Sequence, residues 1–287
     1  MLAPKGVQRA FHTYKFNWRP WSKAGGFQGD STETEDLMNQ EVTAAITPSK
    51  GVTVSTAVDL QKRIIGGNPC GPRERLYHVK LLDGHGNFIC GGSLISNQWI
   101  LTAAHCWQWN MHALLGVHSG PPQAPVSITT PPVMFGDQNR IHDIMLLRLP
   151  RATQIAPVLL PRCNNRPQIG NPVQIAGHAS TAMGPNNERS PGETYTLRCA
   201  NIPVVDCARL RAIVNLSDPD QLHEHWFCAQ SPQVDTCYGD SGGGVVFNNM
   251  IYGVISFTGS PSHALAEAAG FMDVCEYSQW IQQTIGP

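Results

Sequence analysis

The chain has 287 residues, enough for one large domain or two small ones around an ordinary core. Its formal net charge is −1 with no long lysine or arginine run, which excludes a nucleic-acid footprint and a polybasic membrane surface, and no segment reaches the roughly 18 apolar residues of a membrane span. Nine cysteines, none in a Cys-x-x-Cys pair, argue against a zinc ribbon or thioredoxin motif and for disulfides made in an oxidising compartment, with one thiol left over.

Residues 1–63 hold no cysteine and little periodicity, and Asp30 to Glu41 is acidic and polar, so a disordered extension is expected. The first thirty residues are aromatic, basic and polar by turns and contain no apolar signal core. GVTVSTAVDLQ, Gly51 to Gln61, reads as the tail of a signal and short propeptide, with Ser55, Thr56 and Ala57 suiting a signal-peptidase site. From Arg63 the texture changes. The runs LYHVKLL, NFICGGSLI, QWILTAA, DIMLLRL, PVQIAG, GGVVF and MIYGVISF alternate with Gly, Pro, Asn and Ser clusters, which predicts an all-β sandwich or barrel.

GPPQAPVSITTPPV is read as a surface loop or edge, because proline cannot donate to a central ladder. Asn215-Leu216-Ser217 is an Asn-x-Ser sequon, which marks Asn215 for glycosylation in a secreted chain. VDTCYGDSGGGVV sets two acids, a serine and a run of glycines in one loop. At the end of the chain, Tyr277, Trp280, Ile281, Thr284 and Ile285 recur at three and four spacing and predict a terminal amphipathic helix.

Three neighbourhoods carry chemistry: TAAHC with His105, HDIMLLRL with Asp143, and GDSGGG with Ser241. A serine hydroxyl is a poor nucleophile unless a base sits within hydrogen-bond reach, and histidine, with an ordinary pKa of about 6.5, accepts and donates protons near neutral pH. Singly, His105 reads as a core histidine, Asp143 as a solvated acid and Ser241 as a turn serine. Together with IIGG, CGGSLI, WILTAAHC, DIMLLRL, CYGDSGG and YSQWI, in this order from Ile64 to Pro287, they make the chain resemble the chymotrypsin/trypsin-like serine proteases.

The resemblance implies an all-β fold of two packed six-stranded antiparallel β-barrels with a C-terminal α-helix, the barrels dividing residues 64–287 near residue 165. It implies a secreted serine endopeptidase in which Ser241 attacks the scissile carbonyl, His105 moves its proton and Asp143 orients the imidazole. The backbone N–H groups of Gly239 and Ser241 would form the oxyanion hole. Cleavage after Arg63 would free the Ile64 ammonium to pair with Asp240. Asp235 would lie at the floor of the primary pocket, with Ser256, Phe257 and Thr258 along its wall, and take the Arg or Lys before the scissile bond. Without such a guest the Asp235 carboxylate would be buried and unpartnered.

The same resemblance implies the disulfides Cys70–Cys199, Cys90–Cys106, Cys163–Cys275 and Cys207–Cys228, with Cys237 a free thiol. The usual partner of Cys237 lies within FTGSPSHALAEAAG, which has no cysteine, and Val173 and Phe247 occupy the positions of a further bridge. His178 stands where the family has tryptophan, Gly244 replaces a proline, and Thr258 and Ala269 replace glycines of the pocket wall. Val117 sits where calcium-binding relatives carry glutamate, so no metal or other cofactor is expected. Expected partners are protein or peptide substrates, an activating protease and protein protease inhibitors, acting on a monomer without nucleic acid or membrane. The alternatives are elastase-like small-residue specificity and a catalytically weak binding-protein relative.

Overall fold

The computed structural model describes residues 64–118, 123–179 and 183–286, all within one unit, Ala57–Pro287. The expectations for residues 1–63, including Arg63, lie outside the described residues. Strands β1 (Asn68–Pro69), β2 (His78–Leu82), β3 (Phe88–Leu94), β4 (Trp99–Thr102), β5 (His112–Leu114), β6 (Val126–Ser127), β7 (Val133–Asp137) and β8 (Arg140–Arg148) come first. They are followed by β9 (Pro172–Ala179), β10 (Glu193–Val205), helix α1 (Ala208–Ser217), β11 (Trp226–Ala229), β12 (Gly244–Phe247), β13 (Met250–Thr258), β14 (Ala269–Asp273) and helix α2 (Ser278–Ile285).

Two antiparallel sheets result. One runs β6-β5-β2-β3-β4-β8-β7; the other runs β1-β10-β11-β14-β13-β12-β9 and closes on itself through a β9–β10 pairing. Each sheet has seven strands where six were expected, since the two-residue strands β1 and β6 extend the edges. β6 falls in the proline-rich stretch and pairs only with β5, as an edge must where proline interrupts the ladder.

The cores follow from the apolar runs. Val79, Leu81, Leu94, Ile100, Leu101 and Ile144 are fully buried between the strands of the first sheet. Val173, Ile175, Ile202, Val245, Ile255 and Phe271 form a second cluster that also takes in Ile64. Val173 belongs to that cluster and Phe247 packs against it, so apolar packing stands where this chain lacks the further bridge that the resemblance implies. At the C-terminus α2 buries Ile281, and the preceding Tyr277 is also fully buried, so the three-and-four pattern docks the helix. No described helix is long and apolar enough to cross a membrane.

The structure closes Cys70–Cys199, Cys90–Cys106, Cys163–Cys275 and Cys207–Cys228, and leaves Cys237 as a buried free thiol. Cys90–Cys106 ties β3 to the one-turn 3-10 helix Ala104–Cys106, on which His105 sits.

Candidate active site

Two strand irregularities build the site. Between Met134↔Met145 and Gly136↔Ile141, one residue of β7 faces three of β8, so His142, Asp143 and Ile144 leave the regular ladder. The Asp143 N–H then donates to Glu224 Oε1 at 3.0 Å rather than to a neighbouring strand. Between Ile255↔Phe271 and Phe257↔Gly270, Ser256 is the extra residue of a β13 bulge, and its hydroxyl donates to Asp143 Oδ2. Bulges re-aim side chains in this way where a regular ladder would not.

Asp143 is therefore a fully engaged carboxylate. Its Oδ1 accepts the His105 backbone N–H at 2.8 Å, and its Oδ2 accepts His105 Nδ1 at 2.8 Å. Burial alone would push the Asp143 carboxyl up, but the charge and hydrogen bond of His105, with the Ser256 hydroxyl, hold it below its ordinary pKa. Burial likewise pulls on the His105 imidazole, yet Asp143 outweighs it and holds the ring above its ordinary value. With Nδ1–H given to Asp143, Nε2 is the ring nitrogen left to act as a base.

Ser241 lies on the loop that leads into β12, half-buried, with its carbonyl accepting the Gly91 N–H at 2.8 Å. The next residue shows how closely this loop meets the histidine turn. Gly242 has φ +79°, and a Cβ there would stand 2.1 Å from Thr102 Oγ1 and 3.3 Å from Ala103 N, two residues before His105. Only glycine permits that approach. At φ +101° Gly239 again needs glycine, and a Cβ there would come within 2.8 Å of the Phe88 ring. The structure thus brings the loop of Ser241, the turn of His105 and the bulge of Asp143 to one junction. A base oriented by a carboxylate next to a serine loop is the apparatus of acyl transfer.

Asp240 is fully buried: its Oδ1 accepts the Ala179 N–H at 3.1 Å and its Oδ2 the Cys237 N–H at 2.8 Å. Burial raises its pKa to about 7 despite these two amides. Ile64, also fully buried, adopts φ +38°. Burial also pushes the Cys237 thiol up to about 11, and its Sγ faces the Ser190 carbonyl at 3.7 Å. His178 is fully buried beside His78, ring centroids 5.2 Å apart, and burial first, then Lys80, lowers its pKa to about 3, so it is neutral. Asn215 is exposed near the end of α1.

The pocket acid differs from expectation. Asp235 is buried, but it is not waiting for a guest. Arg189 Nη2 donates to its Oδ2 at 2.6 Å, while the Leu265 N–H donates to Oδ2 at 2.7 Å and the Thr236 N–H to Oδ1 at 2.8 Å. A buried carboxylate in the folded chain takes the nearest cation, and the loop after β9 supplies one in Arg189. Burial raises the Asp235 pKa against the opposing charge of Arg189.

Sequence reasoning passed over both Arg189 and Glu224, since a lone arginine and a lone glutamate in loops carry no spacing signal. Of residues able to hold a metal, Cys90 and Cys106 are consumed in a disulfide beside His105, whereas Asp137, His142 and His223 offer ligand atoms within 4.8 Å of one another. His142 Nε2 already faces Asp137 Oδ1 at 2.9 Å.

A fold of two antiparallel sheets with histidine, aspartate and serine gathered at one junction is the arrangement of a chymotrypsin-type serine protease. The family model described as Trypsin matches residues 64–281, and the chain belongs to that family: it is a trypsin-like serine endopeptidase. It is 32% identical to snake venom serine protease 2 of Protobothrops jerdonii, over 81% of this chain and 91% of that protein. It is 31% identical to human kallikrein-15, over 80% of this chain and 94% of that one. Among solved structures it resembles neuropsin, a serine protease expressed in the limbic system of mouse brain, with a TM-score of 0.63 and 28% identity, covering 77% of this chain and 99% of that one.

Proposed function

We propose that the chain is a secreted endopeptidase made as a zymogen, in which Ser241 is the nucleophile, His105 the general base and Asp143 its orienting partner. The observation that carries the reading is the pair of 2.8 Å contacts from His105 to Asp143 on a turn that abuts the Ser241 loop. Ser241 Oγ attacks the scissile carbonyl as His105 takes its proton; the tetrahedral oxyanion is received by the N–H groups of Gly239 and Ser241. His105 then returns the proton to the leaving amine, and water repeats the sequence on the acyl-enzyme.

Activation is cleavage after Arg63, and the new Ile64 ammonium pairs with Asp240. Two buried groups support this: a carboxyl whose partners among the described residues are two backbone amides, and an isoleucine already within the apolar cluster of the second sheet. Four disulfides and an exposed sequon at Asn215 fit an extracellular, glycosylated product. Apart from β1 and Ile64, which join the second sheet, the two sheets divide the chain into barrel domains of about 64–165 and 166–287. The substrates are proteins or peptides, with Arg or Lys before the scissile bond on account of Asp235. An activating protease and protein inhibitors are its other partners, and the working form is a monomer.

Hydrolysis of a peptide library by the chain cut after Arg63 tests this. Activity should appear on cutting and fall by up to about a million-fold in kcat for Ser241→Ala, the loss seen when such a nucleophile is removed elsewhere. Retained activity in that variant would overturn the assignment.

A further inference from the structure

We infer that Arg189 is a tethered occupant of the primary specificity pocket, competing with the substrate's own Arg or Lys for Asp235. This rests on the endopeptidase reading above. The Arg189 side chain is only 1% exposed, and every nitrogen of its guanidinium is engaged. Nη2 reaches Asp235 Oδ2 at 2.6 Å and Thr258 Oγ1 at 3.3 Å, Nη1 donates to the Thr236 carbonyl, and Nε donates to the Ser260 carbonyl at 3.2 Å. Asp235 is the floor acid, and Thr258 the wall residue, of the expected pocket. A guanidinium bonded to both occupies the space a substrate arginine would fill.

The segment that carries it is stitched in place. The Arg189 N–H donates to the Ser262 carbonyl at 2.9 Å, Glu188 bridges to His263, and the Ala264 N–H donates to the Asn187 carbonyl at 2.8 Å. On its other side Ser190 lies against Cys237. The resemblance expects a disulfide from Cys237 to the stretch Phe257–Gly270, and here a loop bonded to both sides stands in its place. Tyr238 completes the closure, its hydroxyl donating across to the Pro261 carbonyl at 2.8 Å.

The substrate's cation therefore gains little on entry, because it exchanges one guanidinium for another at the same carboxylate. The tethered one also acts at a millimolar or higher effective concentration. Binding is weakened by the fraction of time the pocket is open; a pocket open about a tenth of the time weakens it about 10-fold. Once Arg189 has moved, the serine, imidazole and oxyanion donors are unchanged, so KM rather than kcat carries the effect.

The test is the affinity of benzamidine, an aromatic amidine that binds where an arginine side chain would, and the kinetics of an Arg-containing peptide, in wild type, Arg189→Gln and Arg189→Ala, all cut after Arg63. Both variants should bind benzamidine at least about 10-fold more tightly and lower KM by a similar factor with kcat within about 2-fold. Unchanged affinity and KM, or no benzamidine binding by any of the three proteins, would overturn the inference. Fluorophosphonate labelling of Ser241 separates the two claims: labelling in all three with unchanged KM sinks the pocket occupant alone, whereas no labelling in any sinks the endopeptidase. If the variants do not fold, phenylglyoxal modification of wild type decides. Arg189 should be protected in the free protein and modified in excess benzamidine, and equal protection in both would contradict displacement.

Discussion

At the scale of single residues, Glu224 exerts an unexpected influence on the site. Its Oε1 accepts the Asp143 N–H at 3.0 Å, its Oε2 is buried without a hydrogen-bond partner among the described residues, and burial, then the charge of Asp143, raises its pKa to about 8. It is therefore a neutral acid at pH 7. Between its ordinary value of about 4.5 and about 8 the folded chain keeps a proton that the unfolded chain releases, so stability falls as pH rises through that window and levels off above it. Glu224→Gln keeps the acceptor for Asp143 N–H and cannot ionise. Its melting temperature should gain on wild type progressively from pH 5 to pH 8, by about 2–4 °C per kcal/mol of linkage. A difference that does not change with pH would contradict a buried neutral Glu224. His105, Asp143 and Ser241 were legible because each sits in a distinctive local frame and the order of the frames is informative. Arg189 and Glu224 were not, because what they touch is fixed by loops whose paths no periodicity records.

At the scale of elements, the β-runs were legible from alternation and turn residues, whereas the two bulges were not. Nothing in HDI or ISF marks which residue leaves the ladder; the register of the partner strands decides it, and that displacement turns Asp143 toward His105 and Ser256 toward Asp143. The loop of Asp240 connects to the start of the described chain through a shared environment, since Ile64 joins Val173 and Ile175 of β9 in one cluster and Asp240 bonds Ala179 of the same strand. In the uncut chain the partners of the Asp240 carboxyl among the described residues are two backbone amides and its pKa is raised to about 7, so folding stability should fall as pH rises from about 4 to about 7. By thermal melting, Asp240→Asn should gain on the uncut wild type as pH rises from about 4 to about 7, against a pH-independent cost because its Nδ2 faces one of the two backbone N–H groups that the carboxyl accepts. In the cut chain the sign reverses. The variant strands a buried ammonium, a loss of about 3–5 kcal/mol where buried pairs are broken, and activity should fall about 100-fold or more. An active Asp240→Asn enzyme would show that the pair is not the switch.

At the scale of the whole molecule, two antiparallel sheets meet where a loop, a turn and two bulges converge, and neither sheet alone contains the site. His105 and Asp143 come from the first sheet's chain, Ser241 and Ser256 from the second's, and the Gly91 N–H to Ser241 carbonyl contact joins them. The family resemblance implied the pairings seen in the structure, but it could not say what would replace the missing bridge at Cys237; a non-local loop does so. The central claim is that this junction activates Ser241 through His105. The most direct measurement is the rate of fluorophosphonate labelling of the chain cut after Arg63, followed across pH with the modified residue mapped by mass spectrometry. Asp143 holds the His105 pKa above its ordinary 6.5. A single residue, Ser241, should be modified, with a rate that rises as His105 loses its proton, at a midpoint above 6.5, and that collapses in His105→Ala. Labelling of another residue, or an unchanged rate in His105→Ala, would contradict it.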